Sequence, residues 1–575
     1  MNPARNRPAV LQATSLGSYE LSASGENGLT VEAWVHLPRI RAEASQVAAA
    51  QWEFAKTMTG HFATYDAGDT DGLETKGFFG AVYARGWIYF SPQCNNEGRH
   101  GQALRYRTAG AFDNSDSWQS HDAENTSGLN TRGYYGAICD GRYVYYVPRT
   151  DGERMHSRVL RYDTDGEFND EVSWTAYDAG LAKSYQGGAF DGRFVYFAPG
   201  YDQDTGSSGV VLRYDAHGEF DDPASWQTTD VAGTSGQPSV NFDGALFDGQ
   251  HVYFAPLESG GNVTRYDVRG DFGSPASWES FPANQAGQPS MDTCVGAVFD
   301  GRWVYFVPYA HSVVARYDTS APFADPGSWE SWDVAGTDGL DARGFDGAAF
   351  DGRFIYLIPF WEGEDAGKGF HARLVRHDTT KPFAATGSWQ VADGCAEAPP
   401  NPGGFNGGAF DGRFLYMVPW REDDPEGEIR AHGHVLRFDS AGAGARFQLK
   451  AMDCGHNGGL GGSVPGPAWI VNTTKGAISV QAHTIPEPGW HHLVGTYDGG
   501  RAALFIDGEL AAQAEGAGEL TSSSVPVTVG YLPEGASALQ GQIGHVHISA
   551  EVRTAEWIRT AWQNLRDSPG FARIT

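Results

Sequence analysis

The stretch GGAFDGRFVYFAP, residues 187–199, decides the fold of this chain because it returns with small changes along most of its length. Seven copies end on a proline and lie about 50 to 60 residues apart, a period typical of a repeated supersecondary unit. In most copies an Asp-Gly pair separates two apolar and aromatic runs. Asp-Gly readily adopts the positive φ angles of a tight turn, so each copy is predicted to form a β-hairpin. The prolines are Pro92, Pro148, Pro199, Pro256, Pro308, Pro359 and Pro419.

Two further strand patterns follow each hairpin. The first carries Arg-Tyr-Asp or a close variant, as at residues 160–163 and 212–215, and the second begins near a Ser-Trp pair. Four strands per unit and seven units predict a seven-bladed β-propeller. In six units one tryptophan marks the fourth strand, at Trp118, Trp174, Trp226, Trp278, Trp329 and Trp389.

The seventh unit lacks a Ser-Trp strand after its third strand at residues 434–439. A matching segment lies at the other end of the repeats, where FATYDAG at 62–68 parallels WTAYDAG at 174–180. We therefore predict that residues 62–67 complete the seventh unit. This pairing would join the two ends of the ring and remove its exposed strand edges.

The order of these motifs resembles kelch-type blades, in which paired glycines, an aromatic strand, Tyr-Asp and Trp follow one another. The resemblance implies the propeller fold and no particular function.

The segments on either side of the repeats resemble a laminin-G-like, concanavalin-type jelly roll. They carry LTVEAWVHLP at 29–38, GWHHLVGTYDGGRAALFIDGEL at 489–510, PVTVGYLP at 526–533 and GQIGHVHIS at 541–549, in the order of that family. We expect an all-β protein in which a seven-bladed propeller, residues 51–445, is inserted in a jelly-roll sandwich formed by residues 1–50 and 446–575. The resemblance implies that the sandwich binds glycans or proteins, or serves as a structural partner.

The composition of the chain argues against some classes of binding partner. The chain has 575 residues, 76 glycines and a formal net charge of −30, which argues against binding to nucleic acid or to an anionic membrane. Its start is basic but has no apolar core for a signal peptide, so the sequence predicts a cytoplasmic protein, or a secreted one if a signal has been removed. Scattered cysteines without Cys-x-x-Cys spacing predict free thiols. They are Cys94, Cys139, Cys294, Cys395 and Cys454.

Histidine occurs at one repeat position in five of the seven units, five residues before the arginine of the third strand. Imidazoles that converge from successive units would hold a divalent transition metal such as Mn, Fe, Cu or Zn. The alternative is a histidine copied by duplication that hydrogen-bonds within the fold. The five residues are His100, His156, His311, His371 and His432.

A second repeat position, just before the glycine of each first strand, is predicted to face the channel mouth because its neighbour in sequence is aromatic and belongs to the core. Asp243 and Asp346 occupy it in two units and are candidate acid, base or metal-binding groups. Gln186, Asn406 and Tyr135 occupy it in three others, and we predict that they contact substrate. The alternative is that these polar groups cap loop amides.

Loops of variable sequence are expected on the top face, the face formed by the loops between the second and third strands and between successive units. Aromatic residues there could stack on a sugar or pin the loops. Cationic residues could neutralise a ligand carboxylate, or be solvated or paired. The candidates are Tyr309, Trp361, Trp420, Arg132, Arg149 and Arg343, together with Tyr201, Lys76 and Arg421.

These residues favour two hypotheses of different classes. The first is a metal-dependent enzyme, a lyase or hydrolase that acts on a small polar or saccharide-like substrate, with Asp243 or Asp346 handling protons. The second is a non-catalytic glycan- or protein-binding protein in which the histidines are structural. A scaffold that recruits partners through its acidic rim is a third option. The sequence leaves the substrate, the metal and the oligomeric state open.

Overall fold

The computed structural model describes residues 11–13, 17–19, 28–37, 45–257, 261–285, 291, 293–363, 369–400, 403–423, 428–453, 462 and 464–566. The described part is all-β apart from two α-helices, Gly394–Glu397 and Ala555–Arg566. Short 3-10 turns occur at Ser115–Ser117, Thr126–Gly128, Glu171–Ser173, Pro223–Ser225, Thr234–Gly236, Pro275–Ser277, Ala283–Gln285, Pro326–Ser328, Thr337–Gly339, Thr386–Ser388 and Pro533–Gly535. None of the described helices is long and apolar enough to cross a membrane.

The repeats form seven antiparallel sheets, each with a row of four strands, which we number 1 to 7 in the order of their first strands; sheet 3 has a short fifth strand, Gly206–Ser207. The first strands are Phe78–Ala84, Tyr134–Cys139, Lys183–Phe190, Phe242–Phe247, Cys294–Phe299, Phe345–Phe350 and Phe405–Phe410. The second strands are Trp87–Pro92, Tyr143–Pro148, Phe194–Asp202, His251–Pro256, Trp303–Pro308, Phe354–Pro359 and Phe414–Pro419. The third strands are Gln102–Arg107, Arg158–Asp163, Val210–Asp215, Asn262–Asp267, Val313–Asp318, Arg373–Asp378 and His434–Asp439. The fourth strands are Trp118–Asp122, Trp174–Asp178, Trp226–Asp230, Trp278–Pro282, Trp329–Asp333, Trp389–Asp393 and, for sheet 7, Phe62–Asp66.

The fourth strand of sheet 7 comes from the N-terminal side of the repeats, as the sequence predicts. Phe62–Asp66 pairs antiparallel with His434–Asp439. First strands of successive sheets contact one another, and the first strand of sheet 7 contacts that of sheet 1, so these contacts form a closed series. The ring of Tyr65 in sheet 7 also stacks on Trp118 in sheet 1, with centroids 4.9 Å apart. Both ends of the repeats are thereby held together.

Asp-Gly turns join first and second strands, and their carboxylates are fully engaged. In sheet 6, Asp351 Oδ1 accepts the backbone N–H groups of Arg353 and Phe354, at 2.8 and 2.7 Å, and its Oδ2 accepts the hydroxyl of Tyr356 at 2.8 Å. The turn role that the sequence predicts for these residues is confirmed. Equivalent sets of three bonds are made by Asp140, Asp191, Asp248, Asp300 and Asp411.

The loops between second and third strands lie at the opposite end of the sheets from the Asp-Gly turns, and several extend as small hairpins. In sheet 3 the second strand continues to pair with Gly206–Ser207. In sheet 7, Arg421–Asp423 pairs with Ile429–Ala431. Single bridges close similar loops in sheets 1, 2 and 6, between Cys94 and Arg99, Thr150 and Met155, and Trp361 and Phe370.

The tryptophan that opens each fourth strand anchors its sheet. The Trp174 indole N–H donates to the carbonyl of Phe168 at 2.8 Å, which satisfies the polar atom of a ring that is otherwise buried among aromatic side chains. A phenylalanine six residues before the tryptophan accepts this bond in all six sheets that have the residue. The sequence analysis did not anticipate this pairing.

The flanking segments build a jelly-roll domain of two six-stranded sheets. The outer sheet has the order Leu11–Ala13, Gln542–Ser549, Leu29–Leu37, Gly489–Tyr497, Arg501–Ile506 and Glu509–Glu515. The inner sheet has the order Gly17–Tyr19, Val527–Val529, Gln46–Gln51, Phe447–Asp453, Gly466–Thr473 and Gly476–Gln481. Each sheet therefore contains two strands from before the repeats and four from after them, and each of the two is flanked by strands from after the repeats or lies at the sheet edge. Apolar side chains of both sheets form one core, which includes Val31, Leu449, Trp469 and Leu493.

The inner sheet and its loops cover several Asp-Gly turns of the repeats. The hydroxyl of Ser537 donates to the carbonyl of Gly352 at 2.6 Å, and Glu534 forms an ion pair with Arg353. The hydroxyl of Tyr83 in sheet 1 donates to the carbonyl of Ser479. The jelly roll thus occupies the face that carries the Asp-Gly turns, and the top face lies on the other side of the seven sheets.

Cys94, Cys139, Cys294 and Cys395 form no disulfide bond within the described residues. Cys454 lies outside the described residues.

Candidate functional site

Seven side chains, one from each first strand, meet where the first strands contact one another. In each strand the register shifts at a glycine with positive φ, such as Gly136 (92°) and Gly347 (77°). This bulge takes the residue before the glycine out of the regular ladder. All seven side chains are buried, and we call them the central cluster. They are Phe79, Tyr135, Gln186, Asp243, Val295, Asp346 and Asn406.

Hydrogen bonds within the central cluster join residues of different sheets. Asp243 Oδ2 accepts the hydroxyl of Tyr135 and the side-chain amide of Gln186, each at 2.7 Å. Asp346 Oδ2 accepts the side-chain amide of Asn406 at 2.6 Å. Five residues that the sequence analysis selected as catalytic or substrate-binding groups therefore lie together.

The two carboxyl groups of the central cluster are electrostatically coupled. Burial raises the pKa of Asp243, although the bond from Tyr135 and the charge of Arg149 oppose the effect. Burial raises the pKa of Asp346 well above its usual range, and the nearby charge of Asp243 raises it further. Because two buried carboxylates repel each other, the pair retains a proton to a higher pH than an exposed aspartate would.

A second set of seven residues follows the prolines that end the second strands. Three of them, Leu257, Tyr309 and Trp420, pack against the apolar members of the central cluster. Gly200 lies next to Gln186, since a Cβ added at Gly200 would be 2.9 Å from Gln186 Oε1. The full set is Gln93, Arg149, Gly200, Leu257, Tyr309, Phe360 and Trp420.

Five aromatic rings from these two sets form a continuous series, which we call the aromatic arc. Phe79 contacts Tyr135 and Trp420, with ring centroids 4.5 and 4.8 Å apart. Phe360 contacts Trp420 at 5.3 Å and stacks on Tyr309 at 5.9 Å. The guanidinium of Arg149 lies 5.3 Å from the Phe79 centroid and 4.7 Å from that of Tyr135. The arc runs from sheet 2 through sheets 1, 7 and 6 to sheet 5.

Several buried polar atoms of these two sets find no hydrogen-bond partner in the described part of the protein. Buried polar groups are normally paired, so such atoms mark positions where a bound molecule or water can supply the missing bond. They are Gln93 Nε2 and Oε1, Gln186 Oε1, Asp243 Oδ1, Asp346 Oδ1, Asn406 Oδ1 and Trp420 Nε1.

Three predicted contact residues lie elsewhere on the top face. Arg132 pairs with Glu124 at 2.6 Å and Arg343 with Asp341 at 2.7 Å. The Trp361 ring contacts Phe360 edge-on at 6.5 Å, and Phe360 rather than Trp361 contacts the rings of Tyr309 and Trp420. The structure does not bring these three residues into the central cluster or the aromatic arc.

The five repeat histidines bind backbone groups of their own sheets. His156 Nδ1 accepts the N–H of Arg158 at 3.2 Å, and its Nε2 donates to the carbonyl of Arg132 at 2.9 Å. His371 binds Arg373 N–H and the carbonyl of Arg343 in the same way. In sheet 3, Ser208 Oγ accepts the corresponding N–H, of Val210, at 3.2 Å. The same Nδ1 bond occurs at all five histidines, His100, His156, His311, His371 and His432.

The geometry of these histidines favours the structural alternative over the metal site. Burial lowers the pKa of His100, His156, His371 and His432 to about 4, so these rings are neutral near pH 7. At His156, His311, His371 and His432 a metal at Nε2 would have to displace a backbone carbonyl. Within the described residues no group of three or more His, Cys, Asp or Glu side chains is arranged to hold a metal. A transition metal at these residues stays a prediction. The equivalent residue of sheet 4, Gly260, lies outside the described part.

A second polar cluster lies on the outer sheet of the jelly roll. Glu32 Oε1 lies 2.9 Å from His492 Nε2, and Glu32 Oε2 lies 3.6 Å from His547 Nδ1. Burial alone would raise the pKa of Glu32, but the bonds to the two histidines lower it to about 2. The Trp34 ring stacks on His492 with centroids 4.8 Å apart. The sequence analysis did not select these residues.

Sequence reasoning also missed Phe79, Phe360 and Gln93 as members of the site. The residue after each repeated proline was treated as part of a loop, although its position is fixed relative to the repeat. Aligning the seven copies on that proline would have shown a second set of residues beside the first.

The flanking module consists of two antiparallel six-stranded sheets around one apolar core, which is the architecture of a β-sandwich. The family model of the concanavalin A-like lectin/glucanases superfamily matches residues 436–559. The chain is similar to that superfamily over these residues, in agreement with the resemblance read from the sequence. No protein of curated function matches the chain.

Proposed function

We propose that this protein is a non-catalytic saccharide-binding protein of the lectin type, and that the seven sheets are the blades of a β-propeller whose top face carries the binding site. The closed series of first-strand contacts and the shared sheet 7 support the propeller. The pairing of residues 29–37 and 46–51 with C-terminal strands supports one jelly roll into which the propeller is inserted.

The observation that carries the saccharide proposal is the aromatic arc beside unpartnered, buried carboxyl and amide oxygens. The apolar face of a sugar ring packs on aromatic side chains, and its hydroxyl groups need fixed hydrogen-bond acceptors and donors. Trp420 and Tyr309 are partly exposed, whereas Asp243 and Asp346 are buried beneath the top face. The match of the jelly roll to a superfamily that includes lectins supports the same ligand class.

Isothermal titration of the full-length protein with a panel of oligosaccharides tests this proposal. We expect saturable binding that Trp420→Ala lowers at least tenfold, because the variant removes the central ring of the arc. Asn406→Leu is the second variant, since it keeps the volume and removes the amide. Thermal melting of both variants shows whether they fold.

Trp490→Ala is the matched control. Trp490 is 38% exposed on the jelly roll, so its loss tests a tryptophan outside the propeller. Binding that survives Trp490→Ala but not Trp420→Ala supports the top-face site. Loss of saccharide binding in Trp490→Ala alone would place the binding site on the jelly roll. Absence of binding to every saccharide tested would refute the proposed function.

The coupled carboxyl groups favour a second candidate, an enzyme that cleaves the bound saccharide by proton transfer. One of Asp243 and Asp346 would be protonated while the other is ionised, the state that a general acid and base require. Mass spectrometry of saccharides incubated with the protein tests this candidate. Products that disappear in Asp346→Asn would support a lyase or hydrolase, and a further dependence on added Mn²⁺ or Zn²⁺ would support its metal-dependent form.

A further inference from the structure

Three arginines on the top face lie near one another without a carboxylate partner. Arg99 is on the loop of sheet 1, Arg149 on that of sheet 2 and Arg421 on that of sheet 7, so they come from three neighbouring sheets. The charges of Arg149 and Arg421 both act on Arg99, whose pKa is lowered mainly by burial and also by these two neighbours. We call these residues the arginine cluster.

The arginine cluster differs from two other arginines of the top face. The protein's formal net charge is −30, and Arg132 and Arg343 each hold a carboxylate within 2.7 Å. In the described part of the chain, no aspartate or glutamate lies within ion-pair distance of Arg99, Arg149 or Arg421. Grouping like charges with partial burial is unfavourable unless an anion compensates them.

The packing around Arg99 holds it in this position. Its stem runs beside Gly152, where an added Cβ would lie 3.3 Å from Arg99 Cγ; this glycine has a φ of 100°. Cys94 forms a β-bridge with Arg99 across the loop of sheet 1. The Nη2 atom of Arg421 lies 3.8 Å from the sulfur of the same Cys94. The arginines are therefore placed by the folded loops of sheets 1, 2 and 7.

The arginine cluster is continuous with the aromatic arc. Arg149 lies over Phe79 and Tyr135, and the Arg421 guanidinium lies 4.6 Å from the centroid of Trp420. Arg149 also acts on the central carboxyl groups, since its charge opposes the rise in the pKa of Asp243 and Asp346. A ligand on the arc would therefore meet guanidinium groups at the sheet 7–1–2 side of the site.

We propose that the ligand is an anionic saccharide, whose carboxylate or sulfate group is bound by Arg99, Arg149 and Arg421 while its ring packs on the partly exposed Trp420. This inference rests on the proposed saccharide-binding function and names its ligand class. Guanidinium groups present paired donors that match the oxygens of a carboxylate or sulfate, and such charge-assisted bonds are stronger than neutral ones.

The test compares three ligands by isothermal titration of the full-length protein: a hexuronate oligosaccharide, the same compound with its carboxyl groups reduced to hydroxymethyl groups, and a sulfated oligosaccharide. We expect an anionic ligand to bind at least tenfold more tightly than the reduced one. A preference between the uronate and the sulfated ligand identifies the anionic group.

Arg99→Gln and Arg421→Gln should each weaken binding of the anionic ligand about tenfold and lower the ratio of its affinity to that of the reduced ligand. Arg132→Gln and Arg343→Gln are the matched controls, because both arginines lie on the top face and are already paired. If a cluster variant does not fold, the salt dependence of the unaltered protein replaces it, since only anionic ligands should lose affinity as ionic strength rises.

The outcomes separate the two proposals. Equal affinity for the uronate and its reduced form, or unchanged affinity in both cluster variants, would overturn the anionic class and leave saccharide binding in place. Absence of binding to all three ligands and to the wider oligosaccharide panel would refute saccharide binding itself.

Discussion

Two aspartates five residues apart in sheet 6 have opposite surroundings. Asp351, in the turn, accepts three hydrogen bonds from its own hairpin, whereas Asp346, in the first strand, accepts one, from Asn406 of the next sheet. Both are at most 2% exposed. Sheet 4 repeats the contrast with Asp248 and Asp243. A carboxylate whose hydrogen bonds all come from its own repeat stabilises the fold. A carboxylate with an oxygen that has no partner can accept a hydrogen bond from a ligand.

The largest expected difference between these positions is in stability. Asp351→Ala leaves two backbone N–H groups and the Tyr356 hydroxyl without their acceptor, so we expect the free energy of unfolding to fall by about 3–5 kcal/mol. Asp346→Ala is the matched control and removes a buried carboxyl with one donor, so its effect should be close to zero or stabilising. Thermal and urea unfolding measure both, and an equal loss in the two variants would contradict the comparison.

This contrast also explains which parts of the structure could be predicted from the sequence. The repeat, the turns and the strand shared by the two ends of the repeats follow from local patterns, because Asp-Gly and alternating aromatic residues specify a hairpin wherever they occur. The strand 62–66 pairs where its likeness to 174–178 predicted. Asp243 and Asp346 were selected because alternation with an aromatic core residue predicted that their repeat position faces the channel mouth.

The rest of the site depends on contacts between sheets that are distant in sequence. Arg99 was not selected, because only the folded loops place it near Arg149 and Arg421. The histidine pattern was real, but its regularity could not distinguish inward-facing ligands from rings that bind backbone groups of their own sheet. A residue repeated at one position therefore indicates that its copies share an environment. The repetition does not show whether that environment is a metal site or a set of backbone hydrogen bonds.

The histidines sharpen the comparison, because they are repeated like the turn aspartates and are similarly engaged. His371→Leu removes the backbone hydrogen bonds of the ring, which accepts the N–H of Arg373 and donates to the carbonyls of Arg343 and Gly344. We expect a loss of about 2 kcal/mol in unfolding free energy, with no dependence on a metal chelator. Metal analysis accompanies the melts. Bound transition metal in the unaltered protein that is lost in His371→Leu would instead support the metal prediction.

The pH dependence of stability should separate Asp346 from an ordinary aspartate. Burial and Asp243 raise the pKa of Asp346 above its usual value of 3.8, so the folded state binds its proton more tightly than the unfolded state does. Its stabilising contribution is complete below pH 3.8 and is lost as the pH rises toward the raised pKa. Relative to Asp346→Asn, the unaltered protein should therefore lose stability progressively as the pH rises above 3.8 toward the raised pKa of Asp346. Parallel pH profiles of the two proteins would show that the carboxyl is not perturbed.

The smallest expected effect concerns sheet 4, whose turn keeps the aspartate but lacks the arginine. In sheets 2, 3, 5, 6 and 7 the turn arginine pairs with the aspartate that ends the third strand, as Arg302 does with Asp318 at 2.7 Å. Sheet 4 has Gln250 instead, and its Asp267 pairs with Arg269 at 2.7 Å beside a groove of about 480 Å³. Because Asp267 is already paired and partly exposed, Gln250→Arg should change the unfolding free energy by less than about 0.5 kcal/mol. A gain above about 1.5 kcal/mol in urea unfolding would show that the missing pair, rather than the satisfied Asp248 turn, limits the stability of this sheet.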